Sequence, residues 1–228
     1  MSAGYFVAGT DTGVGKTLIS SALVYGFAQR GLRAAGMKPV AAGCVLEEGV
    51  WLSDDVKSLR AASNVDLPPS VLNPYAFEPP IAPHVAAKWA GERIALPQIT
   101  TAFAAAQSRV DMLVVEGVGG FCVPLNEHED TADMAVALGL PVVLVVGVRL
   151  GCLSHALLTA EAIRTRGLTL AGWVANHIEP GMLGAAENVL TLRERLGVPL
   201  ISEVSFSAFA DFRVVAGLLD YDRLCENN

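Results

Sequence analysis

The chain has no apolar run long enough to span a bilayer. The longest, Leu138 to Val148, is interrupted by Gly139, Pro141 and Gly147 and closed by Arg149, short of the ~20 residues a crossing helix needs. Charge is scarce: 17% of residues are charged, the net charge is −7, and no cluster of Lys and Arg stands out. A nucleic-acid surface is therefore not expected. Cysteine is sparse too. Cys44, Cys122, Cys152 and Cys225 lie far apart, with no C-x-x-C and no His at metal spacing. They read as buried free thiols in a reducing compartment. No basic segment precedes the first apolar residues, so no secretory signal is expected. These absences together point to a cytoplasmic protein without membrane or nucleic-acid partners.

What is abundant is apolar. Hydrophobic residues make up 52% of 228 residues, which suits one domain, 1–228, whose strands are buried on both faces. Strands are expected at Tyr5–Ala8, Ala34–Val40, Met112–Glu116, Val142–Val146, Leu170–Val174 and Pro199–Val204. Helices are expected at Lys16–Arg30, Asp54–Ala62, Pro97–Ser108, Thr131–Leu138, Ser154–Arg166 and Met182–Leu196. This alternation predicts an α/β fold, a mainly parallel sheet with helices on both faces; the glycine-rich loop at residues 9–17 makes it P-loop NTPase-like. Ligands of such sheets sit beyond the carboxyl ends of the strands. The exception is Asp66 to Pro83, whose prolines exclude helix interior and central strand, leaving a long loop of the kind that is often functional.

Residues 9–17 read Gly-Thr-Asp-Thr-Gly-Val-Gly-Lys-Thr directly after the first strand. Glycines there let successive N–H groups turn inward on a polyphosphate, and the following helix adds its positive N-terminal end. Lys16 would reach the terminal phosphates and Thr17 would take a place on Mg²⁺. Gly9 stands one residue further from Gly15-Lys16 than the common pattern has it, which marks a subgroup of these loops.

Unusual residues fall at the other strand ends. Lys38, in Met37-Lys38-Pro39-Val40, is placed to neutralise charge on a transferred phosphoryl group. Glu116 closes an apolar strand as the acidic metal-binding element of such enzymes does, although Asp is more usual there. A carboxylate at the end of a buried strand is costly unless paired or bound to a cation. Asp54 and Asp55 follow Ser53, and spacing leaves helix cap and metal ligand both open. Asn176 carries one acceptor and paired donors, suited to the edge of an adenine ring, or is an ordinary turn residue. Glu127, His128, Glu129 and Asp130 read as a solvated loop and helix start. His155 and His177 have no partner at fixed spacing.

Taken together these segments resemble the dethiobiotin synthetase family. The resemblance runs through most of the chain: Gly9 to Thr17 with its extra spacer, Lys38-Pro39-Val40-Ala41, Asn73-Pro74-Tyr75, Pro83-His84, Val115-Glu116-Gly117 with Gly119-Gly120, Gly147 to Cys152, and Leu168 to Asn176. It implies an ATP- and Mg²⁺-dependent enzyme that closes a ureido ring on 7,8-diaminononanoate with CO₂ (from bicarbonate), through a carbamate and a carbamic–phosphoric anhydride. Lys16 and Lys38 would be catalytic. Nucleotide would lie on Thr12, Gly13, Val14, Gly15, Lys16, Thr17 and Leu18, with Glu116 and Asn176. Thr17, Asp54 and Glu116 would hold the metal. The resemblance further implies a homodimer with each site at the interface. Thr12, Lys38 and Ala42 would face the diamine, and Gly151, Cys152, Leu153 and Ser154 of the partner subunit would hold its carboxylate. Three positions depart from other members: Gly13 where some carry Glu, Ala42 where some carry Ser, and Glu203-Val204-Ser205-Phe206 where members often have a proline that borders the base pocket.

Other classes fit less well. A regulatory ATPase with a dimerisation switch usually has a lysine where this chain has Asp11. An amidase-type synthetase carries a glutamine amidotransferase segment that this length does not hold. A non-catalytic nucleotide module has little use for Lys38 and Glu116 beside Lys16.

Overall fold

The computed structural model describes residues 3–225, leaving the Cys225 side chain outside it. Its strands are β1 (Ala3–Gly9), β2 (Ala34–Met37), β3 (Val40–Ala42), β4 (Val45–Glu47), β5 (Val50–Leu52), β6 (Tyr75–Phe77), β7 (Met112–Glu116), β8 (Val142–Val148), β9 (Leu170–His177) and β10 (Leu200–Val204). Its helices are α1 (Lys16–Gln29), α2 (Asp54–Ala62), α3 (Pro69–Leu72), α4 (Pro83–Trp89), α5 (Leu96–Gln107), α6 (Thr131–Leu138), α7 (Cys152–Thr165), α8 (Ala185–Leu196), α9 (Phe212–Ala216) and α10 (Tyr221–Cys225). No helix among the described residues is long and apolar enough to cross a membrane.

The main sheet is parallel, in the order β10-β9-β8-β1-β7-β2. Strand side chains alternate between faces, and the core divides accordingly. Tyr5, Val7, Val114, Val143 and Val145 pack with α1, α2, α9 and α10 on one face. Phe6, Ala8, Val115, Leu144 and Val146 pack with α5, α6, α7 and α8 on the other. The near-continuous apolar strands inferred from composition are thus buried on both sides, as a parallel sheet requires. Central position and register carry the consequence for function. β1 lies between β7 and β8, with Val7 opposite Glu116 and Gly9 opposite Val145. The loops after these strands therefore open on one edge.

The structure departs from the sequence expectation in several places. The strand expected over Ala34–Val40 breaks after Met37, because Pro39 has no N–H to continue a ladder. The chain then restarts as β3, which pairs with β6 in a small separate sheet. The stretch Asp66 to Pro83 is not a plain loop. It contains α3, β6 and the first residue of α4, with Pro69 and Pro83 in first-turn positions where a missing N–H costs nothing. The hairpin β4–β5 and the short helices α9 and α10 had no expected counterpart. Of the thiols, Cys44 and Cys152 are buried but Cys122 is exposed, so the expectation of burial fails there.

Candidate active site

The chain leaves β1 and turns through the glycine-rich loop into α1. Gly15 is the N-cap of α1 in a left-handed conformation (φ 92°), and no side chain caps the helix start. A Cβ on Gly15 would lie 2.2 Å from Asn176 Nδ2, so both its backbone angle and its space require glycine. At Gly9 a Cβ would lie 2.8 Å from Val14 Cγ2 and 3.0 Å from Lys16 Cδ. The extra spacer after Gly9 thus folds back over the root of the loop. Uncapped first-turn N–H groups of α1 and the helix dipole favour an anion at this place.

Lys16 is buried, and its Nζ donates to Asp11 O at 2.9 Å. Burial, and then the nearby Lys38, push its pKa down to about 8. Lys38 is 2% exposed and donates to Glu116 Oε1 at 2.6 Å and to Gly117 O at 3.0 Å, with Asp55 Oδ2 at 2.7 Å. Burial alone would lower the Lys38 pKa, but Glu116 and Asp55 outweigh it and hold it above the ordinary lysine range. Burial likewise works against Asp55, and Lys38 together with Thr17 holds its carboxyl below the usual value. Thr17 Oγ1 lies 2.7 Å from Asp55 Oδ1 and 2.9 Å from Glu116 Oε1. The backbone of Lys38 is fixed as well. Its N–H donates to Leu72 O at 2.8 Å, and Asn73 Nδ2 donates to its carbonyl at 2.6 Å.

These side chains share a cavity of about 670 Å³. Thr12, Gly13, Gly15, Lys16, Thr17, Lys38, Ala42 and Glu116 line it, and Pro80 to Pro83 form part of its wall. A larger hollow of about 940 Å³, between the β4–β5 hairpin and residues 67–76, contains none of the phosphate-loop residues.

One expected metal residue is not in this group. The Asp54 side chain is fully exposed, with only Lys57 Nζ at 3.9 Å. Asp55 takes the inward place, because it shares a helix stripe with the buried Leu59 and Ala62. Ser53 caps α2, accepting from Val56 N at 3.3 Å. The cap and the inward carboxylate are thus separate residues.

Thr17 Oγ1, Asp55 and Glu116 fit a hard divalent cation. Glu116 Oε2 is buried without a hydrogen-bond partner in the protein. No group of three or more His, Cys, Asp or Glu forms a protein-only cage among the described residues. Mg²⁺ suits such a site, since it is commonly held by one or two carboxylates, waters and substrate phosphates.

Asn176 lies within β9 and is 6% exposed, with Nδ2 donating to Val14 O at 2.8 Å. It braces the phosphate loop from β9, which β8 separates from β1. Gly151 is the N-cap of α7 at φ 91°, again without a side-chain cap. The Cys152 N–H already donates to Arg149 O at 3.0 Å, which leaves the N–H groups of Leu153 and Ser154 as candidate donors. Gly151 to Ser154 do not line the cavity of their own chain. His177 Nε2 lies 2.9 Å from Glu203 Oε1, at the far edge of the sheet.

A loop shaped for a polyphosphate, opening on buried lysines and inward carboxylates, equips a parallel α/β sheet for phosphoryl chemistry. The chain is in this respect a P-loop nucleotide-binding enzyme. The profile of the AAA domain family matches residues 3–209. Over 224 residues the chain is 52% identical to the ATP-dependent dethiobiotin synthetase BioD of Nitrosospira multiformis, covering 98% of this chain and 97% of that protein. To the ATP-dependent dethiobiotin synthetase BioD of Aromatoleum aromaticum it is 53% identical over 215 residues, 94% of this chain and 96% of that protein. The chain belongs to the dethiobiotin synthetase family.

Proposed function

We propose that the protein closes the ureido ring of dethiobiotin from 7,8-diaminononanoate, CO₂ and ATP, releasing ADP and phosphate. The observation that carries this reading is the pairing of Lys16 and Lys38 over one cavity floor, in a chain more than half identical to proteins named for that synthesis. One amine of the diamine adds to CO₂ and loses a proton, giving a carbamate. A carbamate oxygen attacks the γ-phosphorus, and the bond to the β–γ bridging oxygen breaks to release ADP. The second amine attacks the carbamoyl carbon of the resulting anhydride, and phosphate leaves as the ring closes. No protein nucleophile is needed, since the substrate carbamate attacks. The protein's work is to hold the reactants in line and to meet charge on the phosphoryl group with Lys16 and Lys38. Mg²⁺ held by Thr17, Asp55 and Glu116 would add charge neutralisation there.

The carboxylate tail of the diamine is assigned to Leu153 and Ser154 N–H groups of a second copy, at the start of α7. Two features support a homodimer with shared sites. Those donors do not line their own chain's cavity. Leu150, Leu158 and Leu190 expose apolar side chains on and beside α7 and α8, at 87%, 62% and 56%.

The test is purified protein with ATP, Mg²⁺, bicarbonate and diamine, followed by mass detection of dethiobiotin and by phosphate release. Phosphate release should require both bicarbonate and diamine. Hydrolysis indifferent to either, with no dethiobiotin formed, would overturn the reading.

A further inference from the structure

Asp11 and Arg149 have no role in the scheme above, yet the fold joins them. Asp11 Oδ2 accepts from Arg149 Nη2. Its Oδ1 accepts from Thr12 N at 2.7 Å, and its main-chain oxygen accepts from Lys16 Nζ at 2.9 Å. One residue therefore faces a guanidinium with its side chain and the phosphate-binding lysine with its carbonyl. Arg149 stands on firm ground. It directly follows β8, which pairs with β1 as far as Gly9 opposite Val145, and its carbonyl accepts the Cys152 N–H at the start of α7.

The loop tip has little else to hold it. Thr12 and Gly13 are exposed. Gly13 sits at φ 75° with nothing within 4 Å of where a Cβ would be. Packing thus leaves the turn 11–13 free, and the polar contacts of Asp11 fix it. We propose that Arg149 is a positioning residue for the ATP reaction, acting through Asp11 to set the phosphate-loop turn and with it the direction of Lys16. This rests on the nucleotide reading of the site given above and names a residue that reading left without a part. The pair is partly exposed, 37% for Arg149 and 45% for Asp11, so it adds little to global stability. Its effect should appear in function, not in melting.

Full-length Arg149→Met, Arg149→Lys, Asp11→Asn and the double variant Arg149→Met/Asp11→Asn provide the test. Three quantities are measured: affinity for a non-hydrolysable ATP analogue by calorimetry, kcat for dethiobiotin formation, and the melting midpoint. Arg149→Met should lose about tenfold in analogue affinity and at least as much in kcat, the scale of a misplaced contact at a reacting centre. Its melting midpoint should stay within ~2 °C of wild type. Arg149→Lys should recover a substantial part of the affinity, because it restores the charge without the planar fork. The double variant should be no worse than the worse single one, because both substitutions remove the same contact. Affinity and kcat within twofold of wild type for Arg149→Met would overturn the proposal. So would a double variant whose loss is the product of the two single losses, or a loss that follows a matching drop in melting midpoint. The calorimetric arm needs no diamine, so it still decides the proposal if ring closure itself fails. A wild-type protein that bound no ATP analogue would overturn this proposal and the nucleotide reading together.

Discussion

Lys16 should make the ligand-free protein less stable than it could be. Its pKa falls from the ordinary 10.5 to about 8, through burial and then through Lys38. At ~1.4 kcal/mol for each tenfold change in proton affinity, keeping Lys16 charged in the fold costs about 3 kcal/mol near pH 7. The sign follows from proton counting. Between about 8 and 10.5 the unfolded chain binds the Lys16 proton more tightly than the fold does, so stability attributable to this group rises as pH rises through that window. Lys16→Met keeps the aliphatic stem and removes the charge. Without nucleotide at pH 7 it should be more stable by about 3 kcal/mol, equivalent to a melting midpoint about 6 to 12 °C higher for a chain of this size. The assay is thermal or urea unfolding of both proteins from pH 7 to pH 11. The difference between them should shrink above pH 8 and nearly vanish past pH 10.5. The same variant should lose two or more orders of magnitude in turnover, the scale of a lost charge contact to the transition state. A Lys16→Met protein no more stable than wild type at pH 7, or with a gap unchanged at pH 11, would refute the argument.

Lys38→Ala should lower kcat far more than affinity for an ATP analogue, and should destabilise the fold by ~3–5 kcal/mol by leaving the buried Glu116 carboxylate without its cation. Collapsed affinity with kcat retained would make Lys38 a nucleotide-binding residue instead. Asp55→Asn should raise the Mg²⁺ concentration giving half-maximal activity by about tenfold or more, since an amide binds a hard cation more weakly than a carboxylate. Asp54→Asn should leave it within twofold, and the reverse pattern would restore Asp54 to the metal. Leu153→Pro and Lys16→Ala should each be nearly inactive alone, the proline lacking one N–H donor. Tagged heterodimers of the two should recover one competent site in two. Purified heterodimer without recovered activity, with Leu153→Pro shown to fold and dimerise, would rule out shared sites.

Much of this arrangement was readable because its determinants are local. An apolar strand, glycines and Lys-Thr are contiguous in β1, the loop and α1, so spacing alone locates them. Glu116 was readable because a carboxylate ending four apolar residues is conspicuous. The resemblance implies Asp54 on the metal, and spacing offers no correction because both aspartates suit a first helical turn. The available signal was phase: Asp55, Leu59 and Ala62 form one stripe, whereas Asp54 falls with Lys57. The split of the second strand at Pro39 was a missed local rule. By contrast, the β3–β6 pairing and the bracing of Lys38 by Leu72 and Asn73 join residues more than thirty positions apart, and no window of sequence displays such a contact. The contact between Asp11 and Arg149 is of the same kind.

The β4–β5 hairpin separates two parts of the cavity wall. The chain leaves the wall after Ala42, runs out and back with Val45 opposite Leu52, and returns at Ser53 to start α2. Its stem joins Ala42, held in β3 against β6, to Asp55, held in α2, while the tip, Glu48 at φ 50° and Gly49 at φ 83°, is exposed to solvent. Length at the tip is therefore free to change while the ends of the stem stay in register. An epitope or a small reporter domain joined between Glu48 and Gly49 would sit on a lever whose base adjoins Asp55, giving a handle on the site placed outside it.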